Sequence, residues 1–177
     1  AVRRLATLAG IGEDERRLLE IAAAYHDLGF LVGRQEHEHA GAEIAAQVLP
    51  EFGFIPEQVA TIQGMIMATR LAQSPHTPLE EILADADLDV LGREDFLSRS
   101  QALQAEVAAL GTPITDKDWH SRQLKFLQGH RYFTAAARTL RDEGKQRNIA
   151  ALEALLQTTR GTVATLTNEL ALAREQA

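Results

Sequence analysis

His26-Asp27 stands at the end of an apolar run, Leu18-Leu19-Glu20-Ile21-Ala22-Ala23-Ala24-Tyr25, just before Gly29. An imidazole and a carboxylate buried together there are costly unless they are paired or bound to a cation. A divalent ion answers both needs, because imidazole nitrogen and carboxylate oxygen each ligate Mn, Fe, Co, Ni or Zn. Adjacent helical residues point about 100° apart, and a helix end lets both turn toward one ion. The competing reading has His26 capping carbonyls at the helix C-terminus. A second group lies further on. Asp85, Asp87 and Asp89 occupy i, i+2 and i+4 inside the apolar stretch from Ile82 to Gly92. Asp85 and Asp89 share a helix face and Asp87 points away from it. At least one of them must face the core, where a carboxylate needs a cation or hydrogen-bond donors.

Other residues could support such a site. His37 and His39, in Glu36-His37-Glu38-His39, could contact a phosphate or act in catalysis with Asp27; as loop histidines they could equally be solvated. Thr69 and Arg70 end an apolar helix, and a guanidinium there can grip phosphate with two parallel hydrogen bonds. The competing reading is a surface arginine near a helix end. His130, in His130-Arg131-Tyr132, is a further candidate substrate contact, although packing or an ion pair also explains it. His76 and His120 read as loop and surface residues, and Trp119 as a packing anchor. No glycine-rich phosphate loop or dinucleotide fingerprint is present, so kinase and dehydrogenase readings have no support.

The elements that position these residues are helical. Ala and Leu, the strongest helix formers, dominate a 177-residue chain with 5% aromatics. No stretch alternates strictly enough to be a strand, so the fold class is all-α. Glycines and prolines divide the chain into blocks. Helices are predicted over Ala1–Leu8, Glu13–Leu28, Glu38–Leu49, Glu57–Ala72 after Pro56, Pro78–Leu91 and Asp95–Leu110. A long helix capped by Asp116 should then reach Arg141, with Gly144 as a break and a last helix from Gln146. The predicted organisation is a helical domain over 1–145 and a C-terminal amphipathic helix over 146–177. Leu152, Leu156, Thr159, Val163, Leu166, Leu170 and Ala173 form a heptad seam on that helix. It either packs on its own bundle or forms a short coiled coil, which would make a homodimer or a connector.

Composition narrows the function. The net charge is −7, so no basic footprint supports general nucleic-acid or anionic-membrane binding. The absence of cysteine excludes disulfides and thiolate metal sites. No apolar run approaches the roughly 20 residues that span a bilayer. No secretory leader is recognised at the start. A cytoplasmic location is expected.

The motifs together resemble the HD superfamily of metal-dependent phosphohydrolases. Ala22-Ala23-Ala24-Tyr25-His26-Asp27-Leu28-Gly29-Phe30 is similar to the central His-Asp motif, and Leu83-Ala84-Asp85-Ala86-Asp87-Leu88 to the distant Asp motif. Gly64-Met65-Ile66-Met67-Ala68-Thr69-Arg70 and Phe126-Leu127-Gln128-Gly129-His130-Arg131-Tyr132-Phe133-Thr134 extend the likeness to a bacterial HD subgroup, over about residues 1–157. The resemblance implies a divalent ion (Mn, Fe, Co, Ni, Zn or Mg) on His26, Asp27 and Asp85 or Asp87; the Leu-Ala-Asp spelling favours Asp85, though Asp87 also follows an alanine. It also implies a phosphomonoester or nucleotide substrate. Two departures carry consequences. The family's first His would fall before residue 1, and Met65-Ile66-Met67 stands where sites of two or three metals carry a His pair. At most a mononuclear site, weak metal binding and activity only with added ion are therefore expected. The alternative implied by a degenerate site is a non-catalytic module for ligand sensing or dimerisation in a signalling protein.

Overall fold

The computed structural model describes residues 1–175, with side chains through Thr158. It contains α1 (Val2–Leu8), α2 (Glu13–Tyr25), α3 (His37–Val48), α4 (Pro56–Ala68), α5 (Pro78–Asp87), α6 (Phe96–Ala109), α7 (Asp116–Gly129) and α8 (Ala135–Glu175). Short 3-10 turns follow α2, α3 and α5. Among the described residues there is no strand. The all-α expectation therefore holds.

The helices begin and end where local chemistry allows. Pro56 opens α4, and Gln58 reaches back to accept the Ile55 N–H at 3.1 Å. The Thr77 hydroxyl accepts from Glu80 N at 3.3 Å and caps α5. Each cap satisfies a donor that the first turn leaves orphaned.

Two compact units result. The first comprises Ala1–Asp89 with Tyr132–Leu140. In it α4 packs against α2, α3 and α5, while α1 packs against α2 and α5. Ile62, Met65 and Ile66 of α4 are fully buried, with Leu5, Leu19, Ile82 and Leu83 around them. Burying each such side chain contributes about 1.5–3 kcal/mol. The second unit comprises Val90–Arg131 and α8 from Arg141 onward. There Trp119 Nε1 donates to the Ser100 hydroxyl at 2.9 Å, and Asn148 Nδ2 donates to the Leu91 and Arg93 carbonyls at 2.9 Å each. Trp119 is thus a packing anchor, as expected.

Three expectations about the last third of the chain are corrected. Thr115, not Asp116, caps α7, its hydroxyl accepting from Asp118 N. That helix ends at Gly129 instead of reaching Arg141. His130 is extended, Tyr132-Phe133-Thr134 are weaker helix formers, and the Phe133 and Thr134 amides find their partner in Asp85. Nor does Gly144 break a helix. It lies inside α8, where a Cβ would come within 2.0 Å of the Gly92 carbonyl oxygen. Glycine is needed there for a backbone to come so close, which outweighs its helix cost of about 1 kcal/mol. Of the seam residues, Leu152 is buried and Leu156 half-buried. The side chains of Thr159, Val163, Leu166, Leu170 and Ala173 lie outside the described residues. Among the described residues no helix is long and apolar enough to cross a membrane.

Candidate metal centre

His26 follows the last residue of α2 and its Nδ1 lies 2.9 Å from the Ala23 carbonyl oxygen. A carbonyl only accepts, so Nδ1 carries the proton. Nε2 is then turned toward two carboxylates, Asp27 Oδ2 at 3.3 Å and Asp87 Oδ1 at 3.5 Å. A neutral ring would aim its lone pair at two negative groups. That arrangement calls for a proton or a cation at Nε2, and an Nδ1–H anchored on a backbone carbonyl is the usual support for a metal-binding histidine. Asp87 raises the His26 pKa above its ordinary value, with Asp27 adding to it and burial opposing both.

The run continues on the other side of Asp27. Its Oδ1 is 3.8 Å from His37 Nε2, and His37 Nδ1 is 3.4 Å from Glu38 Oε2. The His37 ring stacks on Phe30, centroids 3.8 Å apart at 18°. Asp87, His26, Asp27, His37 and Glu38 thus alternate carboxylate and imidazole. Gly29 makes this possible. A Cβ there would sit 1.8 Å from the His37 carbonyl oxygen, so only glycine lets the turn after α2 press against the start of α3. His26, Asp27 and Asp87 line an open cleft of about 370 Å³, with Ala1 and Val2 at its edge.

In type, one imidazole nitrogen with flanking carboxylates fits a divalent cation. In spacing the set is open: among the described residues no three or more His, Asp or Glu side chains are grouped closely enough to hold a metal ion. Residues 1–89, which hold this whole run, match the model of the HD domain. The chain belongs to the HD-domain family. The superfamily is one of metal-dependent phosphohydrolases, whose domains generally bind divalent metals. Neither a curated protein nor a solved structure matches the chain.

Within the HD domain the two candidate aspartates part company. Asp87, the last residue of α5, faces His26. Asp85 is fully buried, and its carboxylate accepts from Phe133 N at 2.8 Å, Thr134 N at 2.8 Å and the Thr134 hydroxyl at 2.7 Å. Burial pushes its carboxyl above the ordinary range, while the Thr134 and Phe133 donors and the nearby Arg138 oppose the shift. Asp85 therefore holds the start of α8 in place of facing the cleft. Its buried charge finds donors, one of the two outcomes the sequence required.

The remaining candidates are placed as follows. His37 joins the run beside Asp27. His39 does not: it is exposed and pairs with Glu43 at 3.2 Å. The Thr69 hydroxyl is buried and donates to the Ile66 carbonyl at 2.7 Å, so it is engaged within its own helix end. Arg70 pairs with Glu36 at 3.0 Å on the surface. His130 belongs to the second unit, whereas the carboxylate–imidazole run belongs to the first. Met65 and Ile66 are core residues. Sequence reasoning missed Glu38 and Phe30. Glu38 shares the buried stripe of α3 with Ala42 and Ala45, at i, i+4 and i+7, so an acid on an inward face was the available signal.

Proposed function

We propose that this HD domain is a metal-dependent phosphohydrolase acting on a phosphomonoester or nucleotide. The observation that supports it is His26, with Nδ1–H fixed on Ala23 and Nε2 facing Asp27 and Asp87. His26, Asp27 and Asp87 would hold the divalent ion. When bound, such an ion supplies Lewis acidity toward a phosphoryl oxygen and activates water near neutral pH. Asp27 keeps one oxygen toward His26 and the other toward His37. The His37 ring, held by Phe30 and Glu38, keeps Nε2 toward Asp27. Arg70 is available to an anionic substrate because its partner Glu36 is exposed. A surface ion pair of this kind contributes about 0–1 kcal/mol, which a phosphate can replace.

The open spacing of the donors favours a second reading, a non-catalytic module that binds a phosphorylated ligand without turning it over. Phosphate release from a panel of phosphomonoesters and nucleotides, with Mn, Co or Ni added, tests both. The enzyme reading expects release that requires the ion and disappears in Asp27→Ala. Ligand-induced thermal stabilisation without release supports the second reading. Release that persists without ion and in Asp27→Ala contradicts the metal-dependent mechanism.

A further inference from the structure

Asp87 sits on the last turn of α5, and helix ends fray unless their backbone groups are held. Here the turn is held on both sides of Asp87. Two residues before it, the buried Asp85 carboxylate grips Phe133 N, Thr134 N and the Thr134 hydroxyl. One residue after it, the Leu88 carbonyl accepts from Tyr132 Oη at 3.2 Å. The Thr134 hydroxyl accepts from Ala137 N at 3.1 Å and donates to Asp85 Oδ2 at 2.7 Å. Arg138 Nη1 donates to the Tyr132 and Phe133 carbonyls, which fixes the gripping segment itself.

We propose that Thr134 and Tyr132 are positioning residues, which act through Asp85 and Leu88 to keep Asp87 against His26. The proposal rests on the reading of Asp87 as an ion ligand. Thr134 touches neither the ion nor the substrate. Its effect passes through a helix turn whose two anchors flank the ligand. The plain capping bond from Ala137 N to the Thr134 hydroxyl serves α8 alone, and a role confined to that bond would leave Asp87 where it is.

Thr134→Val keeps the shape and removes the hydroxyl, Thr134→Ser keeps the hydroxyl, and Tyr132→Phe removes only the bond to Leu88. Two measurements follow on the full chain: the His26 Nε2–Asp87 Oδ1 distance in metal-free crystals, and Mn²⁺ affinity by calorimetry. In Thr134→Val the distance should lengthen by about 1 Å and Mn²⁺ affinity should fall about tenfold or more, the scale of losing an outer hydrogen bond. Thr134→Ser should retain wild-type values, and Tyr132→Phe should shift both in the same direction by less. A Thr134→Val protein that melts earlier but keeps the wild-type distance and affinity overturns the proposal. If Thr134→Val does not fold, Tyr132→Phe decides, and unchanged geometry there overturns it too. The crystal distance needs no ion. A wild type that binds no Mn²⁺ therefore refutes Asp87 as a ligand, while the distance still reports on the clamp.

Discussion

His26 and His130 are both half-buried histidines, and their surroundings push them in opposite directions. Carboxylates from Asp87 and Asp27 face His26 and raise its pKa. His130, in the second unit, is pulled down to about 4 by burial and by the Lys145 ammonium. Lys145 Nζ also donates to the His130 carbonyl at 2.7 Å. Each unit also contains a glycine that lets two backbones touch, Gly29 against His37 in the first and Gly144 against Gly92 in the second. The same devices serve different ends. In the first unit the close approach sets His37 beside Asp27, and the His26 imidazole faces two carboxylates. In the second it brings helices together, and the imidazole is kept neutral. A histidine is therefore informative about function only together with the charges that face it.

The largest effects should come from the glycines. Gly29→Val and Gly144→Val should each lower unfolding free energy by about 3 kcal/mol or more, because the new side chain meets backbone that cannot yield. Urea titration measures this. Gly29→Val should also abolish Mn²⁺ binding, whereas folded Gly144→Val should bind as wild type does. Equal loss of binding in both would break the contrast. Next, Asp87→Asn should weaken Mn²⁺ binding by more than the roughly 10–100-fold typical of outer-shell changes, with little loss of apo stability. Calorimetry and thermal melting together report both parts.

The two histidines should also titrate apart. With its folded pKa lowered, His130 contributes stability that is present above about pH 6.5 and lost as pH falls toward about 4. With its folded pKa raised, His26 contributes stability that is present below about pH 6.5 and lost as pH rises through the folded value. Ring-proton NMR of the metal-free protein should resolve them on opposite sides of the ordinary value. Coincident titrations would remove the distinction. The smallest effect belongs to His39→Ala. An exposed ring paired with Glu43 should change stability by less than about 0.5 kcal/mol and leave phosphate release unchanged.

Much of this was legible in the sequence. Glycine and proline punctuation yielded most helix boundaries, and the apolar run before His26-Asp27 marked the site. The Leu-Ala-Asp spelling favoured Asp85 but did not separate it from Asp87, since both follow alanine in one helix. What separates them is the amide pair of Phe133 and Thr134, which lies 48 and 49 residues beyond Asp85. The same long-range contact hid the break between α7 and α8, because local propensity does not report where an amide finds its acceptor. Gly144 was misread for a related reason: a helix tolerates glycine when another backbone needs the space. Glu38 was legible in principle from the inward stripe of α3, but its neighbours His37 and His39 drew attention to the exposed side of the same turn.

His26, Asp27 and Asp87 are proposed to hold one divalent ion. Anomalous diffraction from crystals soaked in Co²⁺ tests it most directly. A single peak is expected in the cleft at about 2.0–2.2 Å from His26 Nε2, with carboxylate oxygens of Asp27 and Asp87 in its coordination shell. A cleft without a peak at saturating Co²⁺, or a peak coordinated by Asp85 in place of Asp87, would contradict it.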